Sequence, residues 1–180
     1  MYKMNLMLDL ETYATTADAC VMTMGAIVFD TSGQEKAQFY RRIDGKSCDD
    51  LGLRRDPKTV EFWSNQNPIF RFELETPENR VDIKDAISDF TKFWNENKCE
   101  YFWCNGANFD EPILSTIYHK LGMEKPWRFF NVRCVRTLYS LANIKSGDLG
   151  PVTHHALQDC KRQIMGFVIS MSILFSRSCV

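Results

Sequence analysis

In Leu8-Asp9-Leu10-Glu11-Thr12 two carboxylates stand two residues apart at the end of an apolar run. Side chains at i and i+2 of a strand point to the same face, so Asp9 and Glu11 set two hard oxygen ligands side by side. A lone pair of this kind is just as well the first polar residues past a strand end, and taken alone that plainer reading has the better claim. A third acid, Asp110, closes Asn105-Gly106-Ala107-Asn108-Phe109-Asp110, two residues ahead of Pro112. Its competing role is a helix N-cap, which Asp favours. Against that role stands Gly106 beside two asparagines, in a loop whose backbone can approach a ligand closely. The fourth acid, Asp159, follows His154-His155-Ala156-Leu157-Gln158. There the helix dipole favours a first-turn acid, and a lone histidine more often caps or packs than reacts.

The elements that must position these residues are legible in the hydrophobic pattern. Met4–Leu10 is short and mostly apolar, as a strand buried on both faces is. Val21–Asp30 and Ala37–Ile43 flank a Thr31-Ser32-Gly33 turn and read as a hairpin, so three strands open the fold. Asp56-Pro57 starts a helix, with Asp at the cap and Pro at the first helical position; a Pro-rich, charged connection follows from Asn67 to Pro77. Ile83, Ala86, Ile87, Phe90, Phe93 and Trp94 recur at three- and four-residue spacing, which marks an amphipathic helix ending near Asn95-Glu96-Asn97. Tyr101–Cys104 is a short strand, and the helix through Ile113, Leu114 and Ile117 closes at Gly122. Phe129–Val132 reads as a last strand, Val135–Leu141 as a short helix and Gly147–Pro151 as a loop. Ile164–Phe175 reads as a buried core helix. The sum is an α/β chain with a mixed five-stranded sheet, opened by a three-stranded antiparallel meander, and helices on both faces.

Composition bounds what such a chain can be. Its 180 residues suit a single domain, 1–180, and 44% hydrophobic content is enough for a sizeable core. The 22 basic and 23 acidic residues nearly cancel, so bulk charge does not advertise a nucleic-acid binder. A polyanionic partner would have to be met by local basic patches or by metal ions. Seven scattered cysteines, none spaced as a CxxC pair, read as reduced and mostly packed thiols. The apolar stretch Met4–Leu8 is broken by Asp9 and Glu11 without a cleavage site after it, and Ile164–Phe175 falls short of the ~20 residues of a membrane span. A soluble, cytoplasmic protein is expected.

Each acidic piece is weak alone, but their order along the chain is informative. Acid-x-acid on the first strand, Asn-x-x-x-Phe-Asp in mid-chain and His-x-x-x-x-Asp near the end resemble the DEDDh branch of the DnaQ-like 3′–5′ exonucleases. The resemblance covers nearly the whole chain. It implies an RNase H-like sheet, Asp9, Glu11, Asp110 and Asp159 as metal ligands, two Mg²⁺ or Mn²⁺ ions, and His154 as general base, with Glu11 also in the catalytic set. A narrower similarity, in Arg55-Asp56-Pro57-Lys58-Thr59-Val60-Glu61-Phe62-Trp63-Ser64-Asn65-Gln66, is to phage A-type exodeoxyribonucleases and mycobacterial RNase AS-like exoribonucleases. It brings aromatic residues near a terminal nucleotide, so Trp63 joins Leu10, Thr12, Asn105 and Asn108 as expected substrate-binding residues. Phe62 is expected in the core. Single-stranded nucleic acid is the implied partner, with DNA slightly favoured over RNA, and a homodimer is the implied assembly. The competing reading is a catalytically silent nucleic-acid-binding protein of the same fold, which would normally lack a ligand or the base; here every position is filled.

The chemistry accounts for the residue types. Hydrolysis of a phosphodiester needs an activated water, compensation for phosphoryl charge and help for the leaving oxygen, and two cations ~3.5–4 Å apart can supply all three. Carboxylates without thiolates select a hard ion. The choice of histidine sets helix geometry against the family pattern. His155 and Asp159, four apart, share a helix face, whereas His154 and Asp159 lie roughly 140° apart on a regular helix. The family pattern selects His154, which requires it to sit on the loop before the helix. Arg41-Arg42, Arg54-Arg55, Arg133 and Arg136 read first as solvated surface charge. Asp30-Thr31-Ser32-Gly33 is explained by a hairpin turn.

Overall fold

The computed structural model describes residues 4–66, 71 and 76–177. β1 (Met4–Thr12), β2 (Val21–Phe29) and β3 (Glu35–Ile43) form the expected antiparallel meander. A two-residue strand, β4 (Arg80–Val81), pairs in parallel with the end of β3. On the other edge, β5 (Cys99–Cys104) adds in parallel to β1, and β6 (Val132–Cys134) in parallel to β5. Among the described residues the sheet therefore has six strands, ordered β4-β3-β2-β1-β5-β6, rather than five. Two residues carry no period, which is why β4 left no signature in the sequence.

The α-helices that accompany the sheet include α1 (Gly45–Asp50), α2 (Pro57–Ser64), α3 (Ile83–Glu96), α4 (Asp110–Lys120), α5 (Val135–Ala142) and α6 (Ala156–Arg177). Asp56 caps α2 by accepting from the Lys58 and Thr59 N–H groups, with Pro57 at the start as expected. Strand alternation divides β1 between two cores. Leu6, Leu8 and Leu10 pack with Ile83, Ile87 and Phe90 of α3 and with Ile113 and Ile117 of α4. Met7 points the other way, into a core built with Val135 and Tyr139 of α5 and Ile164 and Phe167 of α6. Burying each such side chain contributes about 1.5–3 kcal/mol. Asp9 and Glu11, in phase with Met7, thus emerge on the α6 side of the sheet.

Three expectations need correction. Phe129–Val132 is not the last strand: Phe129–Asn131 forms a 3-10 turn, and the strand begins at Val132. Phe129 is 80% exposed, so aromatic strand propensity misled where there was no core to pack on. α6 is not buried all round, because Ile164 and Phe167 face the core while Met165, Ile169 and Phe175 are exposed. Small residues within its apolar run hid the phase of the buried face. Phe62 does not lie in the core; it is 44% exposed, and its neighbour Trp63 is the buried one. Adjacent helical residues lie ~100° apart, and two consecutive aromatics do not reveal which of them faces inward. Most of the Asn67–Pro77 connection lies outside the described residues. Among the described residues no helix is long and apolar enough to cross a membrane.

Candidate active site

The last turn of β1, the start of α4 and the start of α6 converge at one end of the sheet. Asp9, Glu11 and Asp159 each offer a carboxylate oxygen, and these atoms all lie within 4.8 Å of one another. Asp110 joins from α4. It does not cap its helix; its Oδ1 accepts from the Leu10 N–H, 3.2 Å away, between the two acids of β1. That bond ties α4 to the strand and fixes Asp110 beside the other three. Glu11, Asp110 and Asp159 are buried and Asp9 is partly so. Among the described residues none of the four takes part in a salt bridge.

Asp159 reaches the cluster because α6 presses unusually close to β2. Gly25 stands opposite Asp9 in the β1–β2 register. A Cβ on Gly25 would lie 2.5 Å from the Leu157 nitrogen and 2.6 Å from the Ala156 carbonyl carbon, so only glycine admits the first turn of α6 there. One turn later Gln163, 1% exposed, donates from Nε2 to Asp9 Oδ1 at 2.7 Å. Asp159 in turn holds the approach to its own helix. Its Oδ1 accepts from the Thr153 N–H and hydroxyl, and its Oδ2 from the His154 N–H at 3.0 Å.

His154 precedes α6 with a φ of +53°, a left-handed conformation rare for a residue with a side chain and frequent at functional sites. This turn resolves the five-residue offset between His154 and Asp159, because the two never share a regular helix. The His154 ring stands edge-on to Trp63 at 5.4 Å and to Phe62 at 5.7 Å. His155 goes elsewhere: its ring stacks on Tyr40 of β3 at 4.9 Å, and its Nδ1 is buried without a partner.

A cleft of about 390 Å³ lies beside the carboxylates, lined among others by Leu10, Glu11, Phe62, Trp63, Phe109 and His154. Thr12 also lines it, but its hydroxyl donates to the Ala14 carbonyl. The Trp63 indole N–H donates to the Thr12 carbonyl at 2.8 Å, which pins α2 to the end of β1. Asn105 and Asn108 are not part of the lining; Asn105 Oδ1 accepts from Arg136 Nε instead. Phe62, Phe109 and Lys58 are lining residues that sequence reasoning did not place there. Lys58 and Phe62 are four apart on α2, a spacing that could have shown that they share a face.

The electrostatics of the cluster are those of crowded like charges. Burial, reinforced by Asp110, Glu11 and Asp159, pushes the Asp9 carboxyl well above its usual range, and only the Gln163 amide opposes the rise. Burial, then Asp159 and Asp110, pushes Glu11 up to about 8. Burial raises Asp110 to about 7, against the Leu10 N–H and the charge of Arg136. Hard oxygen donors in a buried site, with none of the four in a salt bridge among the described residues, fit a divalent metal ion. Two buried polar atoms fit it too. Gln163 Oε1, in the amide that binds Asp9, and Thr23 Oγ1, opposite Glu11 in the register, have no partner among the described residues.

Residues 4–170 match the family described as the 3′–5′ exoribonuclease Rv2179c-like domain. The chain belongs to that family. It is a 3′–5′ exonuclease of the DEDDh type, a hydrolase of phosphodiester bonds. An exodeoxyribonuclease of Enterobacteria phage T4 is 24% identical over 195 residues, covering 89% of this chain and 86% of that protein. Among solved structures, E. coli exonuclease I in complex with a dA16 oligonucleotide aligns over 94% of this chain with a TM-score of 0.67 at 14% identity. This chain spans 41% of that one. The nuclease domain of 3′hExo, a DEDDh family member bound to rAMP, aligns over 95% of this chain and 92% of its own, with a TM-score of 0.61 at 8% identity. These structural likenesses establish the RNase H-like fold.

Two outcomes follow from this geometry. Gly25→Ala forces α6 off β2 against backbone atoms, so urea unfolding will show a loss of about 2–4 kcal/mol and nuclease activity will fall with it. Unchanged stability and activity would contradict the close approach. Carboxyls with raised folded-state pKa values bind more protons in the fold than in the unfolded chain. Their contribution to stability is therefore full below their ordinary values of 3.8 and 4.5 and is lost as pH rises through about 7 and 8. In EDTA the melting temperature will fall between pH 5 and 9, and Mg²⁺ will flatten the profile. A rise across that range in EDTA would refute the assignment.

Proposed function

We propose that this exonuclease releases nucleoside monophosphates from the 3′ end of single-stranded nucleic acid, using two Mg²⁺ or Mn²⁺ ions held by Asp9, Glu11, Asp110 and Asp159. The observation that carries this reading is that the carboxylates of Asp9, Glu11 and Asp159 have oxygen atoms inside 4.8 Å of one another, next to a cleft that His154 also lines. When bound, the ions supply an activated water and compensate the charge that develops on the phosphoryl and leaving oxygens. The remaining work belongs to the chain. His154, held at the mouth of α6 by its N–H bond to Asp159, accepts the proton of the attacking water at an imidazole nitrogen. Phe62, Phe109 and the edge of Trp63 flank the terminal nucleoside, where base–aromatic stacking contributes about 1–3 kcal/mol. Leu10 closes the apolar wall, and Lys58 at the start of α2 offers a cation to the phosphate.

DNA is the substrate favoured by the resemblance to the phage T4 exodeoxyribonuclease over most of both chains. The family's own description as an exoribonuclease favours RNA as a second reading. Discrimination rests on whether the pocket around Leu10, Glu11 and the Phe62–Trp63 helix accepts a 2′-hydroxyl.

Matched single-stranded DNA and RNA labelled at either end test both points. The proposal expects mononucleotides from the 3′ end with Mg²⁺ or Mn²⁺, none with EDTA, and faster turnover of DNA. Absence of release with either metal would overturn it. The two histidines separate cleanly in the same assay. His154→Ala will lower kcat by about 10²–10⁴-fold, whereas His155→Ala, which loses a ring stacked on Tyr40, will keep most turnover. The opposite ranking would move the base to His155.

A further inference from the structure

Gln163 is the one neutral side chain with a direct hydrogen bond to a carboxylate oxygen of Asp9 among the described residues. It lies four residues after Asp159 on α6, so both side chains leave the same face of the helix toward the end of β1. The turn that carries it is anchored from the opposite side, because the Tyr139 hydroxyl of α5 donates to the Gln163 carbonyl at 3.2 Å. With Asp9 ionised, as a cation ligand must be, its carboxylate only accepts, so the amide presents Nε2 to it and Oε1 has to find a different partner. Oε1 is buried and has no partner. A buried acceptor left unsatisfied costs about 1–3 kcal/mol, and an apolar side chain of the same volume would avoid that cost. The site keeps a glutamine, and its amide sits against the residue on which the proposed cation site centres.

We propose that Gln163 is a positioning residue for the cation site: Nε2 fixes the Asp9 carboxylate in its ligating orientation, and Oε1 accepts a hydrogen bond from the water shell of a bound divalent cation. This rests on the cation-dependent reading above. The two halves of the amide then have distinct duties. The donor restricts Asp9 to one rotamer and occupies one of its oxygens, which directs the remaining lone pairs toward Glu11 and Asp159. Residues that orient metal ligands in this way typically change metal affinity by 10–100-fold when removed.

Gln163→Met keeps the volume and removes both functions, and Gln163→Leu serves if methionine is not accommodated. Calorimetric titration of Mg²⁺ and Mn²⁺, without nucleic acid, measures the affinity directly, and thermal unfolding in EDTA reports the fold. The proposal expects cation affinity to fall by about 10–100-fold in a variant that the EDTA melt shows to be folded at the titration temperature. A purely packing role predicts unchanged affinity of the folded protein, and that result overturns the proposal. Failure of the unsubstituted protein to bind either ion would instead defeat the two-cation reading itself. Binding by the unsubstituted chain with equal binding by Gln163→Met defeats only the role given to Gln163.

Discussion

Repulsion among four carboxylates is the constraint around which this molecule is built. Asp9, Glu11, Asp110 and Asp159 come from three separate stretches of the chain, and each would be more comfortable in water and farther from the others. They are held together by the apolar burial of β1 on both faces and by a few hydrogen bonds of fixed direction. Leu10 N–H holds Asp110, the Thr153–His154 turn holds Asp159, and Gln163 holds Asp9. The fold thus carries a local electrostatic strain that protons relieve as pH falls through about 8 and 7 and that a bound divalent cation would relieve above that range. Under the proposed cation-dependent reading, a chain with a net charge of -1 acts on a polyanion because positive charge would enter with the ions instead of being spread over the surface.

Close packing at Gly25 sets the distance scale of the site. Helices ordinarily stand off a sheet by the width of their side chains. Here the backbone of Ala156 and Leu157 rests against a glycine opposite Asp9, which shortens the reach required of Asp159 and Gln163. The sharp left-handed turn at His154 belongs to the same arrangement. It ends the preceding loop abruptly, lets the helix start against β2, and turns one histidine toward Trp63 and Phe62 while the next one stacks on Tyr40.

Much of this was legible in the sequence, and for identifiable reasons. The meander, the Asp56-Pro57 helix start and the 83–96 helix follow from period and capping, which are local properties. The acidic residues were individually ambiguous and became informative through their order along the chain. Asp110 and Asp159 show why the ambiguity was real. Asp110 stands at a helix start yet spends its oxygen on β1, whereas Asp159 supports its own helix approach and also faces the cluster. What stayed hidden depended on non-local contacts. The role of Gly25 exists only because α6 lands on it, Gln163 is an ordinary helical glutamine until Asp9 is placed beside it, and the inward turn of Trp63 over Phe62 is decided by the Thr12 carbonyl. β4 and the true start of β6 were missed because two or three residues cannot display a period.

Anomalous scattering from crystals soaked in Mn²⁺ shows whether these carboxylates hold divalent cations. Two anomalous peaks ~3.5–4 Å apart are expected, enclosed by Asp9, Glu11, Asp110 and Asp159, with one of them against Asp9 and Asp159. A soaked crystal with no peak among these four side chains, or with manganese bound only elsewhere on the surface, would contradict the cation site.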